Sequence, residues 1–163
     1  SICRRIVLRI GVLSDTHGIT SIAEKALAQM GNIDILLHAG DLATDARHFE
    51  NKEYKLYFVA GNCDYDVFEP TEKMLEIQNK KILLTHGHRY RVKYGYDRLL
   101  SRAKEISADI VVFGHTHVPE NTYIDNILLF NPGSTTLPKN GGPGTYGILE
   151  IINGHIKAQI NTI

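Results

Sequence analysis

The stretch VLRIGVLSDTH, residues 7–17, joins an apolar run to a set of polar side chains. The run Val7 to Leu13 predicts a buried β-strand, and Asp15, Thr16 and His17 come directly after it. Similar apolar runs with a polar signature recur at intervals of 21 to 29 residues, ending in Gly40-Asp41, Gly61-Asn62-Cys63-Asp64, His86-Gly87-His88 and Gly114-His115-Thr116-His117. Because the carboxyl ends of parallel strands meet at one edge of a sheet, we expect these side chains to converge.

The first half of the chain predicts strands that alternate with helices. Four apolar residues repeat at helical spacing before Gly31, a common helix stop, namely Ile22, Ala26, Leu27 and Met30. Residues 33–37 and 56–60 are apolar runs of strand length, and residues 43–49 form a short helix candidate between them. This βαβ pattern indicates a parallel sheet.

The second half predicts hairpins around one further helix and strand. Runs at 74–77 and 82–84 are separated by a gap too short for a crossover, so they predict an antiparallel hairpin. A helix is expected at 96–106 and a buried strand at 110–113. Two more hairpins are expected around Asp125-Asn126 and Asn153-Gly154. Two sheets packed face to face with helices outside accommodate this number of strands better than one sheet.

The length and composition limit the kinds of protein this chain can be. We expect residues 1–163 to form one domain, with residues 1–5 as a non-native or disordered start because Ser1 replaces Met. The net charge is zero, which argues against a nucleic-acid partner except as a substrate. No apolar run is long enough to span a membrane. Only Cys3 and Cys63 are present, a usage that predicts a cytoplasmic protein.

The signatures contain seven side chains that can bind a metal ion, namely Asp15, His17, Asp41, Asn62, His86, His115 and His117. This number exceeds what one divalent ion normally takes, so two ions that share a carboxylate are the simpler solution. If Asp41 is shared, one ion takes Asp15, His17 and His117 as well, and the other takes Asn62, His86 and His115. Imidazole, carboxylate and amide ligands favour transition metals over Mg or Ca. We expect two such ions, with Mn first and Ni, Fe, Co or Zn also compatible.

The charges of such a site predict its substrate. Two divalent ions bring four positive charges, Asp15 and Asp41 remove two, and a bridging hydroxide removes a third. The positive charge that remains favours an oxyanion. Two ions roughly 4 Å apart can lower the pKa of water to about 7 and hold the oxygens of a phosphoryl group. The residues therefore predict phosphoester hydrolysis by attack of the bridging hydroxide on phosphorus.

The ordered set Asp-x-His, Gly-Asp, Gly-Asn-x-Asp, Gly-His and Gly-His-x-His resembles the calcineurin-like metallophosphoesterase superfamily, and the small size resembles its compact bacterial and archaeal phosphodiesterases. The likeness runs from Ile10 to the C-terminus, with Thr85 where many members have Gly. It implies a four-layer α/β/β/α sandwich of two mixed sheets with flanking helices, and the dinuclear ligand set above. The catalytic candidates are Asp41, Asn62, Cys63, Asp64 and His88.

Cys63 is the main departure from the superfamily pattern. Many members have a His at this position, paired with the following Asp, and it stabilises the transition state or protonates the leaving group. Cys63 resembles the small phosphodiesterase branch, and it leaves His88, a metal-bound water or no group at all as the acid. A weaker acid disfavours poor leaving groups, so a Cys63→His variant is expected to act faster on such esters.

Other interpretations remain open from the sequence. The basic cluster of His88, Arg89, Arg91 and Lys93 either contacts a non-scissile phosphate or is a solvated surface. The same site also suits a phosphomonoesterase or nucleotidase. A retromer coat subunit with a similar fold works as a protein scaffold, although it departs from the ligand pattern. The preferred interpretation is a phosphodiesterase whose substrate is a small phosphodiester, with a nucleotide included among the candidates, and self-association is left open.

Overall fold

The computed structural model describes residues 7–41, 43–64 and 69–163, so the predicted start at residues 1–5 lies outside the described residues. The strands are β1 (Val7–Leu13), β2 (Ile35–His38), β3 (Lys55–Phe58), β4 (Glu72–Ile77), β5 (Lys80–Thr85), β6 (Ile110–Val112), β7 (Glu120–Ile124), β8 (Ile127–Asn131), β9 (Thr145–Ile152) and β10 (His155–Thr162). The helices are α1 (Thr20–Met30), α2 (Ala43–His48) and α3 (Asp97–Glu105), with 3-10 turns at His88–Tyr90 and Val92–Tyr94.

The strands form two mixed sheets, as the sequence predicts. The first sheet has the order β10-β9-β1-β2-β3, in which β1, β2 and β3 are parallel and β9 and β10 form an antiparallel hairpin beside β1. The second has the order β4-β5-β6-β8-β7, in which β5, β6 and β8 are parallel and the edge strands are antiparallel. Each sheet therefore has three parallel strands whose carboxyl ends share an edge.

Alternating side chains of the strands build three apolar layers. Between the sheets, Ile10 and Val12 of β1 pack in the same cluster as Val112 of β6 and Phe130 of β8. On its outer face the first sheet packs with α1 through Met30 and other buried residues. The outer face of the second sheet packs with α3 in the same way. The four-layer α/β/β/α arrangement is confirmed.

The strand order and some boundaries are details that the sequence pattern did not predict. The chain returns to the first sheet only at β9, which pairs with β1, and β8 pairs with β6 in parallel. The third strand ends at Phe58 instead of residue 60. Val59 N still donates to His38 O of β2, but Ala60 N donates to Pro70 O, outside the first sheet. Among the described residues, the helices are too short and too polar to cross a bilayer.

Candidate metal centre

The five polar signatures meet at one edge of the molecule. Asp15 follows β1, Asp41 follows β2, and Asn62 lies in the loop after β3. In the second sheet, His86 follows β5 and His115 follows β6. All five of these strands deliver their carboxyl ends to this edge, which is the convergence that the parallel pattern predicts.

Asp15, His17 and His117 form the first cluster of possible ligand atoms, which lie within 4.8 Å of one another. Asp15 Oδ1 is 3.4 Å from His117 Nε2 and 3.9 Å from His17 Nε2. The two imidazole nitrogens themselves are 3.3 Å apart. Three potential ligands thus face one small space, although His17 and His117 are separated by 100 residues along the chain.

Asp41, His86 and His115 form the second cluster within the same 4.8 Å limit. Asp41 Oδ2 is 3.3 Å from His86 Nε2, and Asn62 Oδ1 is 3.0 Å from the same nitrogen. Asp41 Oδ2 is also 3.9 Å from His17 Nε2, in the first cluster. The carboxylate of Asp41 therefore lies between the two clusters, the position that a shared ligand requires.

One buried carboxylate oxygen in this site has no hydrogen-bond donor. The other oxygen, Asp15 Oδ2, accepts hydrogen bonds from Ser14 Oγ at 2.6 Å and from His115 N at 3.0 Å. Asp15 Oδ1, in contrast, has no hydrogen-bond partner among the residues that the structure describes, and the Asp15 side chain is fully buried. A buried, unpaired carboxylate oxygen is costly, and a cation offsets that cost. The donor set therefore fits a divalent metal ion.

Backbone carbonyls fix which nitrogen of two histidines faces the site. His86 Nδ1 donates to Ala39 O at 2.8 Å, and His117 Nδ1 donates to Leu137 O at 2.7 Å. A carbonyl can only accept, so Nδ1 of each ring carries a proton, and Nε2 is the nitrogen that can bind a metal once it is deprotonated. Both rings are thereby oriented as ligands before any ion binds.

The carboxylates and imidazoles shift each other's pKa. Burial alone raises the pKa of Asp15, but the nearby imidazoles of His117 and His86 outweigh it, so the pKa is lowered. The pKa of Asp41 is lowered in the same way, against burial, by its hydrogen bond to His86 and the charge on that ring. Burial and the charge of His86 lower the pKa of His115 to about 4. Ionised carboxylates beside a neutral imidazole favour a bound cation.

Five of the seven proposed ligands have a left-handed backbone. Their φ angles are 54° at Asp15, 47° at His17, 49° at Asp41, 72° at His115 and 59° at His117. Such a conformation costs a residue with a side chain about 1–2 kcal/mol, and it occurs often at functional sites. The surrounding contacts must hold these residues in place.

Two glycines of the signatures allow backbone to approach the carboxylates closely. A Cβ atom on Gly114 would lie 2.0 Å from Ser14 Oγ and 2.6 Å from Asp15 Oδ2. A Cβ atom on Gly61 would lie 2.0 Å from Asp41 Oδ1. Any side chain at either position would displace a proposed ligand, which explains why Gly precedes His115 and Asn62.

Comparison with known proteins matches residues 8–154 to the calcineurin-like phosphoesterase superfamily domain. The chain belongs to this superfamily. The phosphodiesterase YfcE of Escherichia coli K12 is 29% identical over 170 residues, which cover 88% of each chain. A crystal structure from Streptococcus pneumoniae TIGR4, described as a predicted phosphoesterase, is 29% identical with a TM-score of 0.80 and covers 96% of this chain and 90% of that one. The predicted superfamily is confirmed, and it supports a hydrolase that acts on ester bonds.

A Vps29 structure is also similar to this chain. A Vps29 variant from Entamoeba histolytica is 22% identical with a TM-score of 0.75, and the match covers 96% of this chain and 99% of that one. At this identity the likeness concerns the fold alone.

Three further superfamily positions lie beside the clusters. Cys63 Sγ lies within 4.8 Å of ligand atoms of His17 and Asp41, and burial together with Asp41 raises the pKa of the thiol. Asp64 Oδ2 accepts from Gly61 N at 2.7 Å and from Asp41 N at 3.2 Å, so it positions the two loops. The ring of His88 is 5.3 Å from that of His86, and its buried Nδ1 has no hydrogen-bond partner within the described part of the chain.

The sequence reasoning missed several residues that support the site. Asp45 Oδ2 accepts from Thr16 Oγ1 and from Gly18 N, both at 2.7 Å, which holds the loop after β1. Ser134 Oγ donates to Asp15 O at 2.7 Å. Asp and Ser are ordinary helix and turn residues, so the sequence contains no signal that marks these two.

His38 connects two loops of the site from beneath. Its Nδ1 accepts from Gly40 N at 3.1 Å, and its Nε2 lies 3.2 Å from Thr16 Oγ1. The side chain is fully buried, and burial lowers its pKa to about 4. His38 therefore links the loops that follow β1 and β2.

Proposed function

We propose that the protein is a phosphodiesterase that uses a dinuclear metal site to hydrolyse a small phosphodiester. The observation that carries this proposal is the unpaired, buried Asp15 Oδ1 beside two ligand clusters that Asp41 joins. A site with two ionised carboxylates is suited to bind cations. With two cations it is suited to an anionic substrate.

We assign the proposed ligands to two metal ions according to the two clusters of ligand atoms. Asp15, His17 and His117 would hold one ion, Asn62, His86 and His115 the other, and Asp41 both. When bound, the ions would lower the pKa of water and neutralise phosphate charge. Asn62 is exposed beside His86, so its amide N–H can donate to a phosphate oxygen. Manganese is the proposed metal, and the cytoplasm the proposed location.

We propose that the acid that protonates the leaving group is weak, because residue 63 is a cysteine. A thiol donates hydrogen bonds poorly. A Cys63→His variant should therefore raise kcat on esters with alkyl leaving groups more than on esters with nitrophenyl leaving groups. His88 is the second candidate, and a His88→Asn variant should lower kcat on alkyl esters if it donates the proton. Equal effects on both ester types would count against an acid at these positions.

The experiment that tests the function is hydrolysis by protein that has been stripped with a chelator and reconstituted with Mn, Ni, Fe, Co or Zn. The panel contains bis(p-nitrophenyl) phosphate, p-nitrophenyl phosphate, and 2′,3′- and 3′,5′-cyclic nucleotides. We expect metal-dependent hydrolysis with two ions bound per chain and with diesters preferred. A preference for the monoester would instead favour a phosphomonoesterase or nucleotidase. A reconstituted protein that binds the ions and hydrolyses nothing would favour the scaffold role.

A further inference from the structure

A small cavity adjoins the candidate metal centre on the side of His115 and His117. It has a volume of about 220 Å³ and is lined by these two histidines, Thr116, Lys93 and Lys139. A second cavity of about 200 Å³ shares His117 and Lys139 and continues along the loop at residues 138–145. The two cavities together form a groove that begins at two proposed metal ligands.

The two lysines reach the groove from distant parts of the chain, and each has an anchored backbone. Lys139 N donates to His117 O at 3.3 Å, while His117 Nδ1 donates to Leu137 O at 2.7 Å. Lys93 directly follows Val92, which is 3% exposed and packs in the outer core of the second sheet. The ammonium groups are therefore carried on positioned backbone at the mouth of the site.

The charge in this groove is positive although the protein as a whole is neutral. Both lysines are exposed, and neither forms an ion pair with a carboxylate among the described residues. No Asp or Glu is found among the described residues that line the two cavities. The groove thus attracts an anion next to the metal centre.

The structure divides the basic cluster that the sequence suggested. Arg91 lines a different cavity, together with Tyr90, Tyr94 and Arg98. Of the three cations at positions 89, 91 and 93, only Lys93 lines the groove, and its companion there, Lys139, lies 46 residues further along the chain.

We propose that Lys93 and Lys139 form a subsite for a second phosphate group, carried by the substrate beyond the phosphodiester that is cleaved. This inference rests on the proposed function and narrows its substrate class to phosphodiesters with an additional phosphate nearby. Sites that bind a whole small molecule usually have a volume of about 300–1,000 Å³. The first cavity is smaller than this, so it suits one chemical group of a larger ligand. A phosphate offers several acceptor oxygens to two ammonium groups.

The test compares two chromogenic substrates with the same bond to cleave, thymidine 5′-(p-nitrophenyl phosphate) with and without a 3′-phosphate. The expected ratio of kcat/KM, phosphorylated over unphosphorylated, is about tenfold, as charged hydrogen bonds would supply. The Lys93→Gln, Lys139→Gln double variant should bring this ratio close to one. The ratio should also fall as NaCl increases, because salt screens exposed charges. Lys157→Gln is the matched control and should keep the ratio. Lys157 is exposed on β10 and lies level with Arg9, near the start of β1, whereas the site follows the end of β1.

Calorimetric binding of thymidine 3′,5′-bisphosphate and thymidine 5′-phosphate to the metal-loaded protein supplies a readout that needs no turnover. Tighter binding of the bisphosphate that is lost in the double variant supports the subsite, even if neither chromogenic substrate is hydrolysed and the proposed function fails. Metal-dependent hydrolysis of both substrates with a ratio near one, or a ratio that the double variant leaves unchanged, overturns the subsite and leaves the proposed function intact.

Discussion

Asp41 and Asp125 adopt nearly the same left-handed backbone, with φ angles of 49° and 52°, in two regions that use it differently. Asp125 lies in the turn between β7 and β8, where its exposed carboxylate pairs with Lys104 Nζ at 2.7 Å. Asp41 is 2% exposed, and its carboxylate lies between two clusters of imidazoles.

The turn at Asp125 and the candidate metal centre maintain the left-handed backbone in different ways. In the hairpin, Asp125 and Asn126 are residue types that tolerate left-handed backbone, so the local sequence accounts for it. At the centre, hydrogen bonds to distant segments hold the left-handed residues in place: His17 and His115 bond to Asp41 and Asp15, and His117 bonds to Leu137. We expect changes at the hairpin to affect stability, and changes at the centre to affect metal binding and turnover.

The largest expected effect is that of Asp41→Asn compared with Asp125→Asn. Asn keeps the left-handed backbone at both sites but removes the negative charge. Asp41→Asn should lower kcat by about 10³-fold or more and reduce the metal bound per chain. Asp125→Asn should leave both unchanged. Hydrolysis rates and elemental analysis of the purified variants measure the two effects, and full activity of Asp41→Asn would refute the shared-ligand assignment.

The next largest effect on activity is expected for Gly114→Ala, with Gly154→Ala as the comparison. A methyl group at Gly114 would collide with Ser14 and Asp15, so kcat should fall by about 10²-fold, as a misplaced ligand predicts. At Gly154 the methyl group meets no atom within 4 Å, and only the φ of 81° opposes it. Gly154→Ala should therefore lower the free energy of unfolding by about 1 kcal/mol without a loss of activity. Urea titrations and rate measurements separate these outcomes, and an active Gly114→Ala protein would contradict them.

A smaller effect is expected from His38, which supports the centre from the buried side. Its folded-state pKa of about 4 is below the ordinary value of 6.5, so the folded protein binds fewer protons between these pH values. The free energy of unfolding should therefore fall by about 2.5 kcal/mol from this group as the pH falls from 6.5 to 4. In metal-free protein, His38→Gln should show a smaller fall over this range than the wild type. His155→Gln, at the exposed hairpin end of β10, should behave like the wild type.

The smallest effect is expected in the turn between β4 and β5. Gln78 has a φ of 50° and is followed by Asn79 with a φ of 63°, a pair typical of a tight hairpin turn. Gln78→Asn should raise the free energy of unfolding by about 0.5 kcal/mol, because Asn tolerates left-handed backbone better. Denaturant titration measures the change. A destabilised variant would show that Gln78 makes contacts that compensate for its backbone.

The sequence predicted the parts of the site that depend on local pattern. Asp15 and Asp41 could be identified because each follows an apolar run that ends at the same sheet edge. Asp45 could not, because an Asp in the first turn of a short helix is common, and its role comes from contacts with residues 27 and 29 positions earlier. Lys139 likewise belongs to a loop that the sequence marks only as rich in Gly and Pro.

The sequence by itself determined the superfamily, the two-sheet architecture and the set of seven candidate ligands, because strand periodicity and turn residues are encoded locally. Only the tertiary structure decided which imidazole faces which carboxylate, which nitrogen of His86 and His117 is available, and which lysines border the site. These features depend on contacts such as that between His117 and Leu137, and on pairing between distant strands such as β1 and β9. Packing acts between residues far apart along the chain, so it leaves no periodic signal in the sequence.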